Sequence, residues 1–184
     1  MRILAISGSL RAQSTNTSLL RAAARVAPSP LEIVFCEQIA ALPAFNADLD
    51  VEQGPEPVVR FREELQSSDA VVFSTPEYAH GIPGSLKNAL DWVVGSGELS
   101  GKPVALMNAS ARGEYAQAAL REVLKTMDAR LISEAEITLP LLGKGLSGSD
   151  IASEPEFAAL IRSSLQTIAK SVSVVRLPSQ EGSA

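Results

Sequence analysis

The sequence alternates five short apolar runs with five segments of helical periodicity, and this alternation constrains the fold more than any other feature. The clearest run is Ala70–Ser74, and others lie at Ile3–Ile6 and Val104–Met107. These runs are apolar at successive positions, which is typical of strands buried on both faces. Because such strands need helices above and below them, the sequence predicts an α/β fold with a doubly wound parallel sheet.

The remaining elements complete a β-α unit repeated five times. Two further strands are predicted at Leu31–Cys36 and within Leu131–Leu139. Helices are predicted at Thr17–Val26, Val58–Ser67, Ser85–Val94, Tyr115–Met127 and Glu154–Val172. The segment Ala40–Pro57, with its three prolines, is expected to be a long surface loop.

Five parallel strands favour the order 2-1-3-4-5, with helices on both faces of the sheet. This order places the switch point between strands 1 and 3, where ligands bind beyond the carboxyl ends of the strands. The loops that leave these strands are Gly8–Asn16 and Pro76–Gly84, the two most unusual stretches of the chain. At 184 residues the chain is expected to form a single domain over 1–176, with a disordered tail at 177–184.

The supply of reactive side chains is small, because the chain has one histidine, His80, and one cysteine, Cys36. One of each excludes an intrachain disulfide framework and the usual Cys/His zinc clusters, so we expect no metal site. A Ser-His-Asp triad would have to run through His80 alone, and we assign no catalytic side chain. The chain is therefore a binder, a carboxylate-based enzyme or a protein that borrows a cofactor.

Charge and hydropathy exclude two classes of partner. The formal net charge is −5, and no Lys/Arg cluster appears, which argues against nucleic-acid binding. No apolar run reaches the ~18 residues of a membrane span. The first apolar run is too short for a signal peptide, so the expected location is the cytoplasm.

The first loop has the composition of a phosphate-binding loop. Gly8 allows a sharp turn, Ser9 and Ser14–Asn16 offer hydroxyl and amide donors, and Arg11 adds a guanidinium. The following helix contributes free backbone N–H groups and the positive end of its dipole. Helix capping alone would explain Ser14–Asn16, but not Ser9 and Arg11. With one glycine the loop lacks the fingerprint for a dinucleotide, which favours a terminal monophosphate.

Both loops together resemble the NADPH-dependent FMN reductase family. The motifs are Gly-Ser-Leu-Arg-x-x-Ser-x-Asn at 8–16, Pro-Glu-Tyr at 76–78 and Gly-Ile-Pro-Gly-x-Leu-Lys-Asn-Ala-x-Asp-Trp at 81–92. The resemblance covers most of the chain, roughly Met1 to Val172. It implies a flavodoxin-like fold and relatives that reduce quinones, azo dyes or chromate.

The resemblance also implies the cofactor site. FMN would be held by its phosphate in the first loop, by its ring against the second loop, and by one residue after strand 4. The implied residues are Ser9, Leu10, Arg11, Ser14, Thr15, Asn16, Pro76, Glu77, Tyr78, Ala79 and Ser110. Two departures stand out: Ala79 occupies a position where many members have Asn, and the loop around Ser110 is shorter and has one glycine.

The implied function is transfer of electrons from NADPH or NADH through FMN to a small acceptor, by an enzyme that forms a homodimer or homotetramer. The cofactor carries the reactivity, which agrees with the scarcity of reactive side chains. Two alternatives remain at this point: a non-catalytic FMN electron carrier, and a flavin-free regulatory or interaction domain that kept the fold.

Overall fold

The structure is a computed structural model that describes residues 1–51 and 54–176, so the predicted disordered tail at 177–184 lies outside the described residues. The main elements, in chain order, are β1 (Arg2–Ser7), α1 (Thr15–Val26), β2 (Glu32–Phe35), α2 (Glu56–Gln66), β3 (Ala70–Ser74), α3 (Gly84–Val94), β4 (Pro103–Asn108), α4 (Glu114–Thr126), β5 (Arg130–Leu131), β6 (Ile137–Thr138), α5 (Gly148–Ser153) and α6 (Pro155–Arg176).

The sheet has the predicted parallel order, β2-β1-β3-β4-β5. Successive strand residues face opposite sides, and both sides are covered by helices. On one side Ile3 and Ala5 pack with α1 and α6, and on the other Leu4 and Ile6 pack with α2, α3 and α4. The prediction of continuously apolar strands between two helical layers is confirmed.

The fifth strand differs from the prediction of one strand within Leu131–Leu139. It is divided into β5 and β6, and both parts pair with β4. The turn Ser133–Ala135 separates them, because it buries Ala135 beneath α6, where Ser164 donates a hydrogen bond to the Ala135 carbonyl. Among residues 1–51 and 54–176, no strand pairs with the outer side of β5, so packing against α6 determines the local path.

Two segments are more ordered than the sequence suggested. Within the predicted loop Ala40–Pro57, the short turn Ala47–Leu49 is capped by the Asn46 side chain, and α2 already begins at Glu56. Helix α5 was not predicted, although its capping box between Ser147 and Asp150 follows a known sequence signature. Within the described ranges, no helix is both long and apolar enough to cross a membrane.

The switch point between β1 and β3 depends on a close approach at Gly8. The Gly8 N–H donates to the Ser74 carbonyl at 2.9 Å, which joins the two strand ends. A Cβ added at Gly8 would lie 2.2 Å from Thr75 Oγ1 and 2.7 Å from Thr75 Cβ. A side chain at position 8 would therefore push the two loops apart.

We expect Gly8→Ala to lower the free energy of unfolding by about 1–3 kcal/mol, because the added methyl overpacks the junction. Chemical denaturation followed by circular dichroism measures the change. Gly84→Ala is the matched control, since a Cβ at Gly84 would meet nothing within 4 Å. A Gly8→Ala variant as stable as the control would contradict the close approach.

Candidate functional site

A cleft of about 280 Å³ lies where β1, β3 and β4 end. Its walls come from the loops that follow these three strands, from the first turns of α1 and α4, and from the segment after β6. It is lined by Ser9, Arg11, Ser14, Thr15, Asn16, Thr75, Pro76, Glu77, Tyr78, Asn108, Ala109, Ser110, Arg112, Gly113, Gln117 and Leu142. The cleft therefore occupies the switch point that the strand order predicts.

The first loop is held in place by its own hydroxyl groups. Ser14 is the N-cap of α1, and its side chain accepts a hydrogen bond from the Thr17 N–H at 3.3 Å. The Ser9 hydroxyl accepts from the Arg11 N–H, also at 3.3 Å. Ser9 and Ser14 are buried, whereas the Arg11 side chain is exposed at the edge of the cleft.

Helix α1 presents its amino-terminal end to the cleft. Thr15 and Asn16 form its first turn, so their backbone N–H groups have no partner within the helix. The Asn16 side chain is fixed by β3, since its Oδ1 accepts a buried hydrogen bond from Ser74 Oγ at 3.0 Å. Together with Arg11, this helix end forms a site for an anion.

The second loop is tied to α4 by the Glu77 carboxylate. Glu77 Oε2 accepts a hydrogen bond from the Ala116 N–H at 3.0 Å, in the first turn of α4. Within the loop, Tyr78 and Gly81 exchange two backbone hydrogen bonds of 3.0 Å. Between them, Ala79 and His80 adopt positive φ angles of 49° and 57°.

His80 reaches across to the same helix. Its ring stacks on that of Tyr115, with the centroids 4.2 Å apart and the planes 18° from parallel. Half of the Tyr78 surface is exposed beside them. The loop is therefore fixed to α4 at two points and borders the cleft with the side chain of Tyr78.

The inner part of the cleft holds two oxygen atoms without a partner. Asn108 Oδ1, at the end of β4, and Gln117 Oε1, on α4, are buried and accept no hydrogen bond from the described residues. The other end of the Asn108 amide is occupied, because its Nδ2 donates to Thr138 Oγ1 at 3.3 Å. Buried oxygens of this kind are costly unless a bound molecule donates to them.

The structure brings most of the predicted cofactor residues together. Nine of them line this cleft: Ser9, Arg11, Ser14, Thr15, Asn16, Pro76, Glu77, Tyr78 and Ser110. Two do not. Leu10 points into a neighbouring cleft, and Ala79 lies at the tip of the second loop, among the lining residues of neither cleft.

The innermost residues of the cleft were not predicted from the sequence. Asn108 follows the apolar core of β4, and its place at a strand end beside the switch point was a usable signal. Gln117 lies one turn inside α4, and Leu142 follows β6, so only the folded chain reveals their positions. Within the described part of the chain, no group of three or more His, Cys, Asp and Glu residues could hold a metal ion.

Comparison with known proteins identifies the family. The profile of the NADPH-dependent FMN reductase family matches residues 1–141. The NAD(P)H-dependent FMN reductase of Pseudomonas aeruginosa is 33% identical over 174 residues, which cover 91% of this chain and 93% of that protein. The quinone reductase of Pseudomonas putida (strain KT2440) is 42% identical over 132 residues, 68% of this chain and 70% of its own.

Among solved structures, the flavoenzyme NAD(P)H:(acceptor) oxidoreductase of Paracoccus denitrificans superposes with a TM-score of 0.77 at 29% identity. The match covers 92% of this chain and 97% of that one. The chain belongs to the NADPH-dependent FMN reductase family. The predictions of a flavodoxin-like fold, an oxidoreductase, FMN as cofactor and NAD(P)H as electron donor are thereby confirmed.

The cleft fits FMN on observations of its own. The end of α1 and Arg11 suit a phosphate dianion. The unpaired oxygens of Asn108 and Gln117 suit a molecule that brings hydrogen-bond donors, and FMN carries ribityl hydroxyls and a ring imide N–H. The anion site at α1 matches the phosphate of FMN, and the unpaired oxygens of Asn108 and Gln117 match its hydrogen-bond donors.

We expect Gln117→Met to weaken FMN binding about two- to tenfold, because it removes an acceptor that the flavin would satisfy. The FMN-free variant should be at least as stable as the natural protein, since a buried unpaired oxygen is lost. Quenching of FMN fluorescence measures the affinity, and thermal denaturation measures the stability. Gln66→Met, at an exposed position on α2, is the control; equal FMN affinity in both variants would refute the assignment.

Proposed function

We propose that this protein uses FMN in the cleft at the switch point to transfer electrons from NADPH or NADH to quinones, free flavin or similar small acceptors. The observation that carries the proposal is the combination, in one cleft, of an anion site at α1 and two buried oxygens without a partner. When bound, FMN supplies two-electron redox chemistry.

The residues of the chain bind and orient. Arg11, with the N–H groups of the first turn of α1, holds the phosphate, and Ser9 and Ser14 shape the loop around it. Asn108 and Gln117, whose buried oxygens have no partner among the described residues, would accept hydrogen bonds from the bound flavin. Pro76–Tyr78, fixed by the hydrogen bond between Glu77 and α4, form a wall of the cleft that would border the flavin ring.

The acceptor approaches from the open side of the cleft. Tyr78 and Leu142 line this side, and 50% and 58% of their surfaces are exposed. An apolar, half-exposed border suits planar aromatic acceptors such as quinones, because it offers them area to bury. No residue of the chain is assigned a covalent role in the reaction.

The exposed apolar border also supports assembly. Tyr115, 58% exposed and stacked on His80, adds an exposed aromatic side chain on α4. We propose that a second copy of the chain packs against this exposed apolar surface in a homodimer or homotetramer. Light scattering measures the molecular mass of the assembly. The proposal further includes a single domain over 1–176 and a cytoplasmic location, where NADPH is available.

Anaerobic addition of NADPH or NADH to the FMN-loaded protein should bleach the absorbance of oxidised flavin, and a quinone should restore it. The restored absorbance separates an enzyme from a protein that only stores flavin. Stopped-flow absorbance at the flavin band measures both steps. Flavin that neither nucleotide bleaches would overturn the proposed function in favour of an electron carrier.

Arg11→Ala should weaken FMN binding by about tenfold while leaving riboflavin binding unchanged, because only FMN carries the phosphate. Fluorescence titrations with both flavins measure the difference. Arg25→Ala, an exposed change at the far end of α1, should alter neither affinity. A parallel loss for FMN and riboflavin would show that Arg11 supports the loop rather than the phosphate.

A further inference from the structure

A second cleft, of about 350 Å³, opens at the carboxyl ends of β1 and β2. Ser9 and Arg11 line both clefts, so the first loop is their common wall. The residues of its lining that bear on a ligand are Leu10, Arg11, Thr17, Arg21, Phe35 and Glu37. Its volume lies within the range of sites for small molecules.

The polar side of this cleft is cationic. Arg21 and Thr17 are four residues apart on α1 and share one helical face, and Arg11, on the first loop, lines the same cleft. Among the described residues, neither Arg11 nor Arg21 forms an ion pair with a carboxylate. Two guanidinium groups against the carboxylate of Glu37 leave a local charge of 2 − 1 = +1, although the whole chain carries −5.

The floor and the remaining wall are neutral. At the floor, Ser7 Oγ and Thr17 Oγ1 share a hydrogen bond of 2.8 Å. Burial raises the pKa of the Cys36 thiol to about 12, so this thiol carries no charge at neutral pH. Leu10, with 58% of its surface exposed, and Phe35, from the end of β2, contribute apolar side chains to the lining.

The position of the second cleft, at the carboxyl ends of β1 and β2, indicates which class of ligand it binds. In Rossmann-type dinucleotide-binding proteins, whose doubly wound plan is related to this one, an acidic residue about 20 residues after the first loop binds the ribose hydroxyls, or an arginine nearby accommodates the 2′-phosphate. Glu37 lies two residues after the end of β2 and lines this cleft together with Arg21, so both chemistries are present here. Together, an apolar wall, a carboxylate and two unpaired guanidinium groups match a phosphorylated ribose that carries a heterocycle.

We propose that the second cleft binds the adenosine half of NADPH, with Arg21 on the 2′-phosphate. This inference rests on the proposed function for the identity of the nucleotide, but not for the existence of an anion site. Because Arg11 borders both clefts, its positive charge attracts both the phosphate of FMN and the 2′-phosphate of NADPH. Arg21 lines only the second cleft and is the residue that distinguishes NADPH from NADH.

The test titrates the FMN-loaded and FMN-free protein with adenosine 2′,5′-bisphosphate, 5′-AMP and inorganic phosphate by calorimetry at low ionic strength. The bisphosphate should bind about tenfold more tightly than 5′-AMP, and Arg21→Gln should abolish this difference. Arg21→Lys, which keeps the charge, should retain part of it. Arg25→Gln, one helical turn away and outside the cleft, should retain all of it.

Three results would overturn the inference. They are no binding of the bisphosphate, the same loss in Arg25→Gln as in Arg21→Gln, and inorganic phosphate competing as tightly as the bisphosphate, which would indicate a plain anion site. With NADPH and NADH as donors, Arg21→Gln should raise the KM for NADPH about tenfold, leave that for NADH unchanged and leave FMN affinity unchanged. Bisphosphate binding without flavin bleaching would overturn the proposed function alone, since the calorimetry needs no electron transfer.

Discussion

The close contact between the ends of β1 and β3 is the constraint on which the rest of the site depends. Strand order makes these two ends neighbours, and the hydrogen bond from Gly8 to Ser74 holds them together without a side chain between them. From that point the first loop leads into α1 on one side of the sheet, and the second loop leads into α3 on the other. Because these two segments diverge to opposite sides of the sheet, a space remains between them, and this space is the cleft.

The polar side chains around the cleft are of two kinds: some form hydrogen bonds within the protein, and others are left free to bind a ligand. Asn16, Ser14 and Glu77 each use a side-chain oxygen within the protein, on β3, on α1 and on α4 respectively. Asn108 and Gln117 leave theirs unused, although both are buried. This division explains how a chain with one histidine and one cysteine can serve a redox reaction: its polar residues position a cofactor instead of reacting.

The sequence was sufficient for the sheet order and for most of the cleft wall, because both depend on local patterns. Continuous apolar runs identify buried strands, and the loops that follow β1 and β3 carry their polar residues in compact motifs. The split between β5 and β6 was missed because packing of Ala135 under α6 overrides strand propensity. Gln117 and Arg21 were missed as site residues because a helical residue joins a cleft only through the orientation of its helix, which tertiary packing decides.

The fixed second loop has a consequence for the rate of binding. Glu77 and His80 attach the loop to α4, and the paired backbone of Tyr78 and Gly81 closes it, so the wall already has its shape in the free chain. A preformed wall does not have to lose conformational freedom when a ligand arrives. Association at this cleft is therefore governed by encounter and orientation, and differences between ligands should reside mainly in how fast they leave.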